Sequence, residues 1–398
     1  MQTNSLFQFF VPTKILFGRG QVSSLHTCAL PGKKALIVIS DGKSVRVNGY
    51  LEKVERQLEM AGVEYIVFDG ISANPTAKSI IEGAAAARGG CCDFIIGLGG
   101  GSPIDASKAI AVMAVNDGQL WDYISAGSGK RLPVKNKPLP VVAIVTTAGT
   151  GSETDPAFVV SNEATNEKIG MYLPELFPVI AVVDPELMTT VPPRFTAFQG
   201  FDALFHSTEG IISNKAHMMS DMLSYTAIEL VSRNLPAAVK NGMDLDAREK
   251  VAMGSTLSGM QLAVGSLVSS HSLEHAMSAY HPNLPHGAGL ILVAQAYYRR
   301  FTGVPALKDR FIRMARVMGM ENATEPEDFI TVLGKLMCDC GLGNLSMSEY
   351  GIIPEEFAKF ASNAKFTMGA KFLNDYLPLS EEDCIEIYRD SYNAKIGG

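Results

Sequence analysis

Seven histidines occur in the chain, and six of them fall between His206 and His286, four as His271, His275, His281 and His286. Asp202 stands four residues before His206, so on a helix the two share one face. His271 and His275 repeat that spacing on a later stretch. His286 follows in Leu284-Pro-His-Gly287, a helix-breaking segment from which its ring can project back. Imidazoles gathered with a carboxylate and without cysteine suit a divalent transition metal. A lone histidine is more often a hydrogen-bonded structural residue, and that reading holds for His26 and His217. Clustering reverses it for the set, although spacing alone leaves open which of His271, His275, His281 and His286 are ligands.

Two glycine-rich turns supply a second chemistry. Phe94-Ile-Ile-Gly-Leu-Gly-Gly-Gly-Ser-Pro-Ile-Asp105 reads as a strand, a turn and a helix start. Gly99, Gly100 and Gly101 allow close backbone approach. Ser102 is a natural N-cap, Pro103 suits the first helical position, and Asp105 stands where a capping-box acid would. Free amides and the helix dipole there favour a phosphate. The segment is neither the G-x-G-x-x-G fingerprint nor a P-loop. Thr146-Thr-Ala-Gly-Thr-Gly-Ser-Glu153 also follows a strand and adds hydroxyls suited to a ribose or an amide. Two such loops at the carboxyl ends of parallel strands are where open α/β sheets bind ligands. Asp41 and Asp69 each end a strand. Either can accept from an adenine-ribose hydroxyl, favouring NAD over NADP, or serve as a turn residue.

The elements that carry these residues change character partway along the chain. Ala35–Ile39, Tyr65–Phe68, Phe94–Gly97, Val141–Val145 and Ile180–Val183 are short, β-branched and apolar, as buried strands are. Between them Tyr50–Ala61, Thr76–Arg88 and Pro103–Asn116 read as helices. That alternation predicts a parallel sheet covered on both faces. Beyond the Val191-Pro192-Pro193 breaker the pattern is helical: Ala197–Ser213, Ser220–Val239, Ala247–Val264, Ser266–Ala279, Ala306–Met318, Pro326–Cys340 and Glu381–Tyr392. The expectation is an α/β amino-terminal dinucleotide-binding domain, residues 1–190, and an all-α metal-binding and substrate domain, residues 191–398. A length of 398 residues agrees with about two domains at roughly 150 residues each.

Composition narrows the function classes. Apolar residues make up 47 % of the chain, and the net charge of −7 is spread without a basic block. That argues for small-molecule partners rather than nucleic acid or a membrane surface. The start lacks the basic region and cleavage site of a signal peptide, and no apolar run approaches the ~20 residues of a membrane span. The six cysteines do not form a disulfide framework and read as cytosolic thiols, so a cytoplasmic location is expected.

Taken in order, these segments resemble the iron-containing (group III) alcohol dehydrogenase family along nearly the whole chain. The resemblance begins at Pro12-Thr-Lys-Ile-Leu-Phe-Gly-Arg-Gly20 and continues through Asn74-Pro75-Thr76, the two glycine turns and Val183-Asp-Pro-Glu-Leu187. Gly200-Phe-Asp202-Ala-Leu-Phe-His206-Ser-Thr-Glu209 is similar to its first metal signature. His271-Ser-Leu-Glu-His275 and Pro285-His286-Gly287 are similar to its second.

The resemblance implies that Asp202, His206, His271 and His286 bind a divalent metal, Fe(II) or in some relatives Zn(II), with His275 assisting proton movement. It implies that Gly99, Gly100, Gly101 and Ser102 hold the pyrophosphate of NAD or NADP. Asn74, Asp105, Thr146, Thr147, Thr150, Ser152 and Lys168 would line the rest of the cofactor cleft, with Asp41 at the ribose. The family fold places the site between an α/β and a helical domain. Three departures stand out: Glu274 where a small residue is common, together with a His275–His286 interval one residue longer; Gln199 where Gly, Ser or Thr is usual; and an extra residue in Ser40-Asp41-Gly42-Lys43.

The expected activity is reversible hydride transfer between NAD(P) and a small primary alcohol or diol and its aldehyde. The rival enzymes are a glycerol-type polyol dehydrogenase and a dehydroquinate-synthase-like NAD- and metal-dependent lyase, which fit an Asp-plus-three-His set less well. A catalytically inactive nucleotide-binding protein is the non-enzymatic rival. A homodimer or higher homo-oligomer is expected, with the apolar stretch Phe7 to Phe17 able to pair as a strand with a second subunit.

Overall fold

A computed structural model describes residues 6–396. The chain folds into two compact units, one of Val11–Thr190 and one of Val191–Gly398 with the described part of Met1–Phe10.

The Val11–Thr190 unit holds eight strands: β1 (Lys14–Phe17), β2 (Lys34–Ser40), β3 (Glu64–Ile71), β4 (Phe94–Gly99), β5 (Val141–Val145), β6 (Ala157–Asn162), β7 (Glu167–Tyr172) and β8 (Ile180–Val183). Six of them form one parallel sheet in the order β1-β8-β5-β4-β2-β3. The other two, β6 and β7, pair as a separate antiparallel hairpin. The helices are α1 (Ser44–Val47), α2 (Tyr50–Met60), α3 (Ala77–Gly89), α4 (Gly101–Met113) and α5 (Leu120–Tyr123). The continuous apolar runs of the sheet strands follow from burial on both faces. In β2, Leu36 and Val38 enter one apolar core while Ala35, Ile37 and Ile39 enter the other. In β4, Ile95 faces one core while Phe94, Ile96 and Leu98 face the other.

The second unit is helical: α6 (Pro193–Ile212), α7 (Met218–Lys240), α8 (Leu245–Val264), α9 (Ser270–Tyr280), α10 (His286–Thr302), α11 (Lys308–Val317), α12 (Glu327–Asp339), α13 (Phe357–Phe372) and α14 (Glu381–Asn393). α10 packs on both α6 and α9. Two buried tyrosines on α10 lock that arrangement. The Tyr298 hydroxyl bonds Thr208 Oγ1 on α6 at 2.5 Å, and the Tyr297 hydroxyl lies 3.2 Å from Ser269 Oγ at the start of α9. No helix among the described residues is long and apolar enough to cross a membrane.

The six-stranded parallel sheet and the helical carboxyl-terminal region agree with the expected fold class. Several elements differ from expectation. The β6–β7 hairpin and α13 carry no clear sequence signal, and α9 begins at Ser270 rather than Ser266. Of the apolar start, Lys14–Phe17 pairs in parallel with Ile180–Val183 of its own sheet, while residues 6–13 form no regular element.

Candidate functional site

Three helices bring the titratable side chains together. On α6, Asp202, His206 and Glu209 follow at i, i+4 and i+7, one stripe of the helix. On α9, His271, Glu274 and His275 follow at i, i+3 and i+4. His286, expected in a helix-breaking segment, is instead the first residue of the 17-residue helix α10, with Pro285 as N-cap. The fixed φ of proline suits a helix start, so the Pro that reads as a breaker opens the helix.

Close packing at that start depends on a missing side chain. A Cβ at Gly287 would lie 2.1 Å from the Phe198 carbonyl oxygen of α6. Only glycine lets the two backbones approach so closely, and this brings His286 to the Asp202 stripe.

The convergence is tight. His206 Nε2, His271 Nε2 and His286 Nε2 lie 3.4, 3.6 and 3.5 Å from Asp202 Oδ1. Those separations exceed the best hydrogen-bond lengths. They match the ~3.4 Å edge of a tetrahedron whose arms are about 2.1 Å, the length of a Zn–N or Zn–O bond. Asp202 Oδ1 and His271 Nε2 are buried and, among the described residues, make no hydrogen bond. A buried polar atom is costly in that condition, and a cation between them would satisfy both. The donor set, one carboxylate and three imidazoles, therefore fits a divalent metal.

Outer contacts orient the rings. Glu209 Oε1 accepts from His271 Nδ1 at 2.6 Å, and Glu274 Oε2 accepts from His286 Nδ1. Both carboxylates are fully buried. An Nδ1–H committed to a carboxylate puts the ring's lone pair on Nε2. Without metal, burial opposes charge on Asp202, but the imidazoles of His206 and His286 beside it hold its carboxyl well below the usual range. Burial likewise disfavours a charged His271, yet the neighbouring Glu209 carboxylate pushes its pKa up to about 9.

His275 is also buried, its ring 5.3 Å from that of His286 and 6.4 Å from that of His271. The remaining histidines lie in other settings. His281 Nε2 pairs with Glu356 at 2.9 Å. His26 bonds Gln57 Oε1 at 2.7 Å. His217 caps α7 through Nδ1, which accepts from Ser220 N at 3.2 Å, and stacks on Phe7.

In the sheet-containing unit the two glycine-rich loops lie side by side, because Gly99 on β4 is the register partner of Val145 on β5. A Cβ at Gly100 would meet Thr147 Oγ1 at 3.1 Å, and one at Gly101 would meet Thr150 Cγ2 at 2.5 Å. The capping expectation for this turn is corrected. α4 starts at Gly101 with Gly100 as N-cap and no side-chain cap, so Ser102 lies inside the first turn. A glycine cap leaves the helix-start amides without a side-chain acceptor, which suits a phosphate.

Asp105 does not cap either. It accepts from Ser152 Oγ at 2.6 Å and Val159 N at 2.9 Å. Lys108, given no role by the sequence pattern and fully buried on α4, binds Ser152 Oγ, Asp155 and the Ala157 carbonyl. Asp105 and Ser152 thus belong to a network clamping α4 to the segment leading into β6. Thr146 and Lys168 are buried, Asn74 has φ 58°, and Asp41 is exposed just past β2. Asp69 does not end its strand as expected: it lies within β3 and pairs with Arg46 at 2.9 Å on the surface.

The iron-containing alcohol dehydrogenase model matches residues 12–185, and the family's carboxyl-terminal model matches residues 196–392. The chain belongs to the iron-containing alcohol dehydrogenase family. Within that family it is 32 % identical over 397 residues to a 1,3-propanediol dehydrogenase of Klebsiella pneumoniae, covering 97 % of this chain and 99 % of the relative. It is 31 % identical over 367 residues to an NAD-dependent methanol dehydrogenase of Bacillus methanolicus, covering 89 % and 92 %. An archaeal halo-thermophilic alcohol dehydrogenase from a Red Sea brine pool superposes with a TM-score of 0.93 at 30 % identity, covering 98 % of this chain and 100 % of that one. Family membership makes the chain an oxidoreductase of the alcohol dehydrogenase type.

Two site residues, Glu209 and Glu274, stand in the sequence motifs without a role, which only their bonds to His271 and His286 supply. Their signal is positional: Glu209 continues the Asp202–His206 stripe by one turn, and Glu274 lies one turn past His271 on the ligand face of α9.

Proposed function

We propose that this chain is a divalent-metal- and nicotinamide-dependent dehydrogenase of small primary alcohols or diols, run reversibly with the aldehydes. The observation that carries the reading is the approach of three imidazole Nε2 atoms to 3.4–3.6 Å around Asp202 Oδ1. Asp202, His206, His271 and His286 hold the metal, Fe(II) or Zn(II). When bound, the cation supplies Lewis-acid polarisation of the substrate oxygen, and the nicotinamide supplies or takes the hydride.

The chain's own residues do the rest. Glu209 fixes the ring of His271, so that its lone pair points inward. The unprotected amides of Gly101 and Ser102, at the start of α4, receive the pyrophosphate of NAD or NADP. Thr146, Thr147 and Thr150 flank it, with Asn74 and Lys168 farther along the cofactor and Asp41 at the ribose. Asp105 and Ser152 support that loop through their mutual bond. His275, the buried imidazole beside His286 and His271, carries the substrate proton. A cytoplasmic homodimer or larger homo-oligomer completes the reading.

Anaerobic purification followed by elemental analysis, then a panel of alcohols with NAD and with NADP, tests it. The expected result is one bound divalent ion per chain and NADH or NADPH formation with short alcohols or diols. Protein that binds neither metal nor nicotinamide would sink the reading. His275→Ala is expected to cut turnover while metal content persists; loss of metal would make His275 a ligand instead.

A further inference from the structure

His286 is the least enclosed of the clustered imidazoles. Its side chain is 25 % accessible, against 7 % for His206 and 3 % for His271. It also stands at the very first position of α10, where the chain has just emerged from Pro285. A ring so placed has room to rotate, and a ligand that rotates binds weakly. Its Nδ1 is engaged by Glu274 Oε2. Glu274 is fully buried, one turn along α9 from His271.

The helix carrying His286 is shaped to receive that carboxylate. Gly289 lies one turn beyond His286 on the same face of α10. A Cβ at Gly289 would fall 2.7 Å from Glu274 Cγ and 3.0 Å from Glu274 Oε1. A contact under about 3 Å is overpacking that something must yield to. Glu274 is a long acid that is fully buried, so it needs the space that Gly289 leaves.

We propose that Glu274, seated in the notch left by Gly289, is the positioning residue that makes His286 a metal ligand. The inference rests on the metal reading of the site given above. As acceptor for Nδ1–H, Glu274 fixes the neutral tautomer of His286 and aims its Nε2 at the Asp202 oxygen 3.5 Å away. Its negative charge also strengthens Nε2 as a donor. α9 then supplies on one face a ligand (His271), the orienting acid of a second ligand (Glu274) and the near-site imidazole (His275).

The test uses full-length protein stripped of metal and titrated with Co(II), followed by its visible absorption and by competition with a chromogenic chelator. Glu274→Ala is expected to lower Co(II) affinity about 10- to 100-fold and to change the d–d spectrum. Glu274→Gln keeps an acceptor in place and is expected to restore most of that loss. Gly289→Ala leaves every polar group present, fills the notch, and is expected to weaken Co(II) binding as Glu274→Ala does. The melting temperature of metal-free Glu274→Ala is expected to be no lower than the parent's, because a buried carboxylate has been removed; a merely structural residue would behave oppositely.

Co(II) affinity within twofold of the parent in both Glu274→Ala and Gly289→Ala overturns the proposal, as does equal loss in Glu274→Gln and Glu274→Ala. Should Glu274→Ala fail to fold, the Gly289→Ala result decides alone. Asp202→Asn separates the two readings. If Asp202→Asn abolishes Co(II) binding and the Glu274 variants do not disturb it, only this inference fails. If the parent takes up no Co(II), or Asp202→Asn binds it unchanged, the metal reading itself fails.

Discussion

Glu209 and His271 join two helices through a 2.6 Å contact from Oε1 to Nδ1, with the carboxylate buried on the same face of α6 as Asp202 and His206. The pair makes one helix both a source of ligands and the anchor of a ligand on another. Glu209→Gln should therefore act on the metal without touching it. Metal affinity is expected to fall about 10- to 100-fold, with a similar loss of kcat, and elemental analysis after dialysis against a weak chelator checks it. Retention of parent-level metal would mean that the contact is packing alone.

The same pair couples metal binding to protons. In the metal-free protein burial works against a charged His271, but Glu209 carries its pKa up to about 9, above the ordinary 6.5. A ligating imidazole must be neutral, so binding below that pH releases the proton. Zn(II) affinity is expected to rise with pH between 6.5 and 9, approaching tenfold per unit, and then level off. The sign for folding is opposite. A raised histidine pKa stabilises the metal-free fold fully below about 6.5, and that stability is lost as pH climbs through about 9. Calorimetry in buffers of different ionisation enthalpy measures the proton count, and a pH-independent affinity would contradict the coupling.

What the sequence makes legible follows from physical range. β5 and β8 have the bounds their residues predict because a fully buried parallel strand is apolar at every position, a signal confined to its own residues. The Asp202–His206 and His271–His275 spacings are legible because helix periodicity is local. The hairpin β6–β7 is not, since Ala157–Asn162 and Glu167–Tyr172 alternate weakly and are stabilised by neighbours such as Asp105, which accepts from Val159 N. Nor is the start of α10. Leu284-Pro-His-Gly carries two helix-disfavouring residues, and only the structure shows that Pro285 opens a helix there, which the approach of Gly287 to Phe198 then seats against α6. Glu209 and Glu274 gain meaning only once three helices meet.

Two glycines offer separable failures. At Gly101 an added methyl would lie 2.5 Å from Thr150 Cγ2, at the crossing of the glycine-rich loops. Gly101→Ala is expected to raise KM for the nicotinamide cofactor about tenfold or more while metal content stays at the parent level. At Gly287 the obstacle is the Phe198 carbonyl at 2.1 Å, a backbone atom that cannot swing aside. Gly287→Ala is expected to cost roughly 1–3 kcal/mol of stability and to lose metal as His286 is displaced. Steady-state kinetics with metal analysis on both variants distinguishes them, and a Gly287→Ala protein with full metal would show that the start of α10 can shift without moving His286.

Asp375 gives a stability prediction with a defined pH window. Its Oδ1 accepts from Ser269 N at 3.1 Å, just ahead of α9, and from the Tyr297 hydroxyl at 3.0 Å. Burial pushes its carboxyl up to about 6, even though these hydrogen bonds oppose the shift. A carboxyl whose folded pKa lies above its unfolded value of 3.8 contributes most to stability below that value. The contribution is lost as pH rises through about 6. Asp375→Asn keeps an oxygen acceptor for both donors and cannot ionise. Relative to the parent it is expected to gain stability steadily between pH 4 and pH 6, by at most roughly 3 kcal/mol, and to hold that gain at neutral pH. Denaturant unfolding of the metal-free proteins across that range measures the difference. A constant offset between the two curves would mean that Asp375 does not titrate in this window, leaving its bonds to Ser269 and Tyr297 as its whole contribution to placing α9.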